Sequence, residues 1–205
     1  NDEFKITGGS SPVIRFFIAI FVMIGALVFL GCPLRMILRL AGGDLNAIVG
    51  LVGFAFGIIY GAEFIKKGFS LGRTYKQKKS NGYILPAISL FLLLLLVLKP
   101  SFLFFIISLS VGLIIGILAQ KSRICMVGGI RDLYLIKDPH LIIGFIAIFF
   151  WVLVLNLGFG YFNLGFEGQP AAHSDGLWNF LGMFLTGYGS ILLGGCPLRQ
   201  TILAG

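Results

Sequence analysis

Charge is scarce in this chain. Charged residues make up 12% of its 205 positions, against roughly 25% in soluble domains. Hydrophobic residues make up 58%, and the mean hydropathy is +0.99. That balance excludes a soluble globule and predicts a polytopic membrane protein. Cysteine is scarce too, at three residues: Cys32, Cys125 and Cys196. An odd number with no Cys-x-x-Cys excludes a disulfide scaffold and a zinc site. No haem or iron–sulfur pattern is present, so neither metal nor cofactor is expected. The formal charge of +8 invites a nucleic-acid reading. No basic surface interleaved with aromatics supports it, and nucleic acid is excluded as a partner. Most basic residues fall between apolar runs, where they set orientation and meet the headgroups of the lipid bilayer. No signal-peptide layout precedes the first run.

Glycine and phenylalanine are plentiful instead, at 29 and 21 residues. Glycine suits close helix packing in lipid. A bilayer crossing needs about 20 apolar residues. Six runs approach that length, roughly 12–30, 45–62, 83–98, 101–120, 140–158 and 177–195. They predict an all-α fold of about six spans plus short broken helices, in a single membrane domain over 1–205. The connection 63–82 carries Lys66, Lys67, Arg73, Lys76, Lys78 and Lys79, and 121–139 carries Lys121, Arg123, Arg131 and Lys137. The positive-inside rule places both in the cytoplasm. The connection 159–176 carries Glu167 and Asp175 with no Lys or Arg, so it falls outside, as does the Lys99-Pro100 turn. Arg35 and Arg39 are the exceptions, following the first span on its outer side.

Gly31-Cys32-Pro33-Leu34-Arg35 recurs as Gly195-Cys196-Pro197-Leu198-Arg199, each after a long apolar run, and Gly25 matches Gly189 in the same register. If all six runs cross, the first and sixth cross in opposite senses. The copies are then inverted pseudo-symmetric repeats, a ground plan of transporters that place their site near the midplane between repeats. The first pentapeptide is followed by a full span, the second by the end of the chain. This predicts a piece of a longer protein, with 12–62 ending a first half and 83–205 a truncated second half.

Pro is favoured at the first position of a helix. Cys32 and Cys196 are therefore expected to cap short helices that begin at Pro33 and Pro197, with Gly31 and Gly195 giving the bend. A broken helix presents unpaired N–H groups and the positive end of its dipole. Such an end attracts anions and favours thiolate. Irregular backbone at membrane depth needs protein or a cavity around it. Arg35 and Arg199 follow about one helical turn on. A charge inside a membrane segment is costly and points to function. These residues predict a path for a small anion past thiols. The plain alternative is that each Arg snorkels to an interface and only anchors its helix.

A third group gathers Ser122, Arg123, Cys125, Gly128, Gly129, Arg131 and Asp132 after the fourth run. It repeats a thiol, glycines and arginines, with Asp132 placed to pair with Arg123 or Arg131. Taken alone, Cys125 reads as a small buried apolar residue.

These motifs resemble the YeeE/YedE membrane protein family, most of all its selenium-metabolism branch. The likeness is carried by Gly31 to Arg35, Leu40 to Ala47, Ser122 to Asp132, Gly165 to Pro170 and Gly195 to Gly205. It implies an hourglass-like helical protein of the bacterial inner membrane. It implies transport, not an enzyme activity, of a small inorganic sulfur or selenium anion such as thiosulfate. It also implies Cys32, Cys125 and Cys196 as path thiols making weak S–H contacts with the anion, and a soluble sulfur-carrier protein as an associate. Members of the family extend beyond both ends of this chain.

Two competing readings remain. One is a membrane sulfur- or selenium-transfer or redox protein with a persulfide-forming cysteine, although no general base stands near the thiols. The other is a structural subunit that binds a partner. His140 reads as a capping residue, and His173 matches no strong metal-ligand spacing. Gly50, Gly53, Gly57 and Gly61 read as a close-packing face.

Overall fold

The computed structural model describes residues 7–8, 12–69, 75–76, 87–88, 90–91, 102–122, 124–169 and 172–204. They fall into two compact units. One comprises Pro12–Leu71 and Cys125–Leu198; the other comprises Asn1–Ser11, Gly72–Ile124 and Arg199–Gly205.

In the first unit the helices are α1 (Pro12–Phe29), α2 (Pro33–Ala41) and α3 (Asn46–Lys66), then, after helix α4 of the other unit, α5 (Met126–Leu135), α6 (His140–Gly158) and α7 (Gly176–Leu193). Helix α8 (Pro197–Ala204) starts at its edge. The second unit holds α4 (Phe102–Ser122) and a two-residue antiparallel ladder in which Thr7 pairs with Lys76 and Gly8 with Tyr75. The chain is thus a helical, multi-pass membrane protein. Val13–Ala41, Asn46–Lys66, His140–Gly158 and Gly176–Gln200 are long and apolar enough to cross a bilayer. They match four of the expected runs. The run at 101–120 is helix α4, apolar over Ile107–Ala119. The run at 83–98 lies almost wholly outside the described residues.

Large apolar side chains such as Phe17, Phe56, Phe150 and Trp151 face outward, as lipid allows. Small and polar residues fill the contacts between helices. α3 and α7 run parallel, with Gly53 against the Phe180 carbonyl, Gly57 against Phe184 and Gly61 against Ile191. Gly187 meets the Phe54 carbonyl in return. The expected close-packing face of α3 is therefore real, and Gly50 extends it onto the Phe29 ring. Beside this seam Phe180, Phe184 and Tyr188 stack in sequence.

α1 and α7 run antiparallel, and their contacts are reciprocal. In the register that aligns the pentapeptides, Ile18 matches Gly182, Val22 matches Thr186 and Gly25 matches Gly189. A Cβ on Gly25 would meet the Gly182 carbonyl and lie 2.6 Å from Thr186 Oγ1. A Cβ on Gly189 would lie 2.5 Å from Val22 and 3.5 Å from Ile18. Each glycine thus touches the residues that match those its counterpart touches, the pattern of a two-fold contact. The helix bounds match as well, Pro12–Phe29 against Gly176–Leu193.

The connections sort by charge. The 42–45 turn binds the 163–166 segment, which carries no basic residue. At the other end of α3, Lys66 pairs with Glu63 at 2.7 Å, and Tyr134 of α5 donates to Glu63 at 2.8 Å. That bond holds the Tyr134 phenol above its ordinary pKa. Lys66, at the end of α3, thus lies against α5.

Gly25→Val and Gly189→Val should each lower the thermal midpoint of the full-length protein in detergent. Overpacking costs about 1–3 kcal/mol, and the two substitutions should cost alike because they strike matching points of one contact.

Candidate functional site

The two Gly-Cys-Pro motifs sit at helix breaks built the same way. After Phe29 the chain turns left-handed at Leu30, φ 60°. The Leu30 N–H donates to the Leu27 carbonyl at 3.0 Å, and the Gly31 N–H to Ala26 at 2.9 Å. After Leu193, Gly194 takes φ 84°, its N–H donates to Ile191 at 3.1 Å, and the Gly195 N–H donates to Ser190 at 3.0 Å. This bond pair is the Schellman ending of a helix, which favours glycine at the left-handed position. The second copy has that glycine. The first has Leu30, at a cost of about 1–2 kcal/mol. Cys32 is extended, φ −82° and ψ 169°, as a residue before proline must be, and it stands at the N-cap of α2 with Pro33 following. Its thiol makes no capping bond. α8 likewise begins at Pro197.

The last four carbonyls of α1 all find donors. The turn takes Ala26 and Leu27. His173 Nε2 stands 2.6 Å from the Val28 carbonyl, so that nitrogen carries the proton. Arg39 Nη1 donates to the Phe29 carbonyl at 2.8 Å. At the second break Arg15 Nη2 donates to Leu193 at 2.9 Å. Phe29 and Leu193 occupy matching positions, so a guanidinium meets the negative helix end in both copies.

Arg39 does more. Its Nε donates to Asp44 Oδ2 at 2.7 Å, and its guanidinium lies 4.3 Å over the Phe29 ring. The pair is buried, with side-chain exposures of 7% and 2%. Asp44 Oδ1 accepts the Asn46 N–H at 2.9 Å near the start of α3, where negative charge is favoured. Asn46 Nδ2 donates to the Phe166 carbonyl at 2.7 Å. The Asn163 N–H donates to Gly42 at 2.9 Å and the Gly165 N–H to Gly43 at 3.1 Å. Gly43, at φ 98°, lets the strands approach, since a Cβ there would lie 2.5 Å from the Asn163 carbonyl.

Two cavities meet at the first break. A cleft of about 670 Å³ lies between α2 and the 156–169 region, lined by Cys32, Arg35, Arg39, Asn156, Asn163 and Gln169 among others. A groove of about 410 Å³ runs along α1 past Leu27 and Leu30 to Gly31, Cys32, Arg35 and Pro197. The structure therefore brings Gly31, Cys32 and Arg35 together with Pro197 of the second motif. Cys32 is half-buried, whereas Cys125 and Cys196 are buried. Pro33, the first residue of α2, is buried, and so is Gly195 beside Cys196.

Of the third group, Cys125, Gly128 and Gly129 line neither of these cavities. Cys125 caps α5, its Sγ accepting the Gly128 N–H at 3.3 Å. Gly128 and Gly129 let α5 close on Leu141 and Ile142 of α6. Asp132 pairs with Arg131 at 2.8 Å. Ser122 belongs to the other unit and donates to the Leu118 carbonyl at 2.8 Å. Arg123 lies outside the described residues, and Arg199 falls in the other unit.

Sequence reading overlooked Arg15, Arg39, Asp44 and His173 as partners of the breaks. A charge inside or just after an apolar run was the available signal for both arginines. His173 gave none, because its partner is a backbone carbonyl far away in sequence, and Asp44 gave none, because it meets Arg39 across a turn and not at a helical pairing spacing. Removing Arg39 alone strands a buried Asp44. Arg39→Met should therefore destabilise the full-length protein by about 3–5 kcal/mol, and adding Asp44→Asn should restore much of it. Thermal unfolding of the single and double variants measures this.

No protein-family model matches the chain, and no solved structure does. Two curated proteins are similar to it. The thiosulfate transporter TsuA of Escherichia coli (strain K12) is 30% identical over 95 residues, covering 46% of this chain and 26% of that protein. The thiosulfate transporter TsuA of Spirochaeta thermophila is 32% identical over 97 residues, covering 47% of this chain and 29% of that protein. The matched stretch thus spans less than a third of either relative. Alongside the repeated Gly-Cys-Pro-Leu-Arg breaks, the chain is thus similar, over just under half its length, to these two thiosulfate transporters.

Proposed function

We propose that this chain is part of a permease that carries a small sulfur-containing anion, thiosulfate first, across the bacterial inner membrane. The observation that carries the reading is the first break. There Cys32 and Arg35 stand side by side in a helix interruption, between a cleft and a groove that reaches Pro197 of the second motif. A thiol and a guanidinium in such a place suit an anion that must shed water. The relatives named as thiosulfate transporters support the same substrate class.

The path runs past Cys32, Cys125 and Cys196, with Arg35 supplying positive charge. The thiols make weak, exchanging contacts and form no stable adduct. The two breaks act as inverted stations, a reading supported by the antiparallel, reciprocal packing of α1 on α7. The acidic 159–176 connection then faces outward and the basic connections face the cytoplasm. A selenium oxyanion is a possible second cargo, and a soluble sulfur-carrier protein a recipient on the inner side.

Uptake of labelled thiosulfate by cells making the full-length protein tests this. Cys32→Ala should reduce uptake at least tenfold with the amount of inserted protein unchanged. Uptake equal to the wild type would sink the reading. A stable sulfur adduct on Cys32 without uptake would point to sulfur transfer instead.

A further inference from the structure

We infer that Arg35 is the charge-selecting gate between the outer cleft and the groove that leads to the second break. The inference rests on the anion-permease reading and adds to it the residue that chooses the sign of the cargo.

Two residues line both cavities, Cys32 and Arg35. They are thus the point the two cavities have in common. The charges on the cleft side are already matched, since Arg39 is paired with Asp44. The groove beyond is lined by Met23, Ala26, Leu27, Leu30, Gly31 and Pro197, which carry no charge. An anion entering it leaves water and the amide-lined cleft behind. Without a cation beside it, that transfer is prohibitive.

Arg35 is free to supply the cation. Among the described arginines of this unit, Arg15 holds the Leu193 carbonyl, Arg39 holds Asp44 and Arg131 holds Asp132. Arg35 is exposed and makes no hydrogen bond or ion pair among the described residues. Its stem folds back across the break. A Cβ on Gly31 would lie 3.0 Å from Arg35 Cδ and 3.3 Å from its Cγ. The glycine of the motif therefore leaves room for the arginine of the same motif to lie over the junction. From there a flexible, unpaired guanidinium reaches into either cavity. It attracts anions to the junction and repels cations from it. Tenancy of the junction by Arg35 also gives the first motif a reason to keep glycine and arginine at a fixed spacing.

The test reads charge at Cys32 directly. The full-length protein in sealed vesicles is treated with two methanethiosulfonate reagents of similar size, one bearing a sulfonate and one a trimethylammonium group. Modification of the Cys32 peptide is timed by mass spectrometry, and each rate is divided by that for free cysteine. Cys125 and Cys196 are buried, and peptide-level readout separates them from Cys32. The wild type should favour the sulfonate reagent by on the order of tenfold at low salt. Arg35→Gln should bring the ratio near unity and cut thiosulfate uptake. Arg35→Lys should keep most of the ratio. A merely structural role for Arg35 would change both rates together and leave the ratio alone. An unchanged ratio in Arg35→Gln overturns the gate. A wild-type protein that shows the ratio but takes up no thiosulfate leaves the gate standing and overturns the permease reading for that anion.

Discussion

A helix that stops inside an apolar layer leaves four carbonyls that lipid cannot satisfy. Much of the first unit follows from meeting that demand at the end of α1. Two carbonyls are closed by the turn, which forces Leu30 into a left-handed conformation. The other two recruit His173 and Arg39. Burying Arg39 requires a counter-charge, which Asp44 supplies. Asp44 in turn binds the amide of Asn46 near the start of α3, and Asn46 ties down Phe166. The wall of the cleft facing Cys32 is thus fixed by the same chain of contacts that ends the helix. The break comes first, and the cavity is shaped by its consequences.

The second break meets the same demand with different parts. Gly194 removes the strain that Leu30 bears, and the capping arginine comes from α1 as Arg15. In the matching register the position of Arg39 is held by Leu203 and that of Arg15 by Asn179. α1 therefore carries the first break and stabilises the second. The reciprocal glycine contacts with α7 hold the two in register. Side chains have diverged while backbone geometry has been kept, as expected if the geometry of the break is what the motif specifies. Arg35 is the arginine at the first break left with no structural partner, which is why a role toward cargo fits it.

The helices were readable because lipid imposes a simple rule on long apolar runs, and α1, α3, α6 and α7 obey it. The breaks were readable because glycine before Cys-Pro encodes a stop followed by a restart. The caps were not readable. Arg39 and Arg15 serve backbone carbonyls that any residue would present, so no side-chain pattern marks the pairing. The left-handed Leu30 was hidden because leucine is a poor sign of such a turn, whereas its match Gly194 is a good one. Cys125 resembles a third copy of the motif, but its thiol accepts from Gly128 of its own helix, a contact no spacing announced. Local sequence shows the ingredients of a site but not which of them a fold will gather.

The two breaks are proposed as stations of one anion path, and substrate protection of their thiols tests that most directly. Full-length protein in sealed vesicles is treated with a small uncharged thiol reagent, with and without thiosulfate, and modification of Cys32 and Cys196 is followed peptide by peptide. Thiosulfate should slow both, with sulfate at the same ionic strength having a much weaker effect. Modification of both cysteines at rates indifferent to thiosulfate would contradict a shared path.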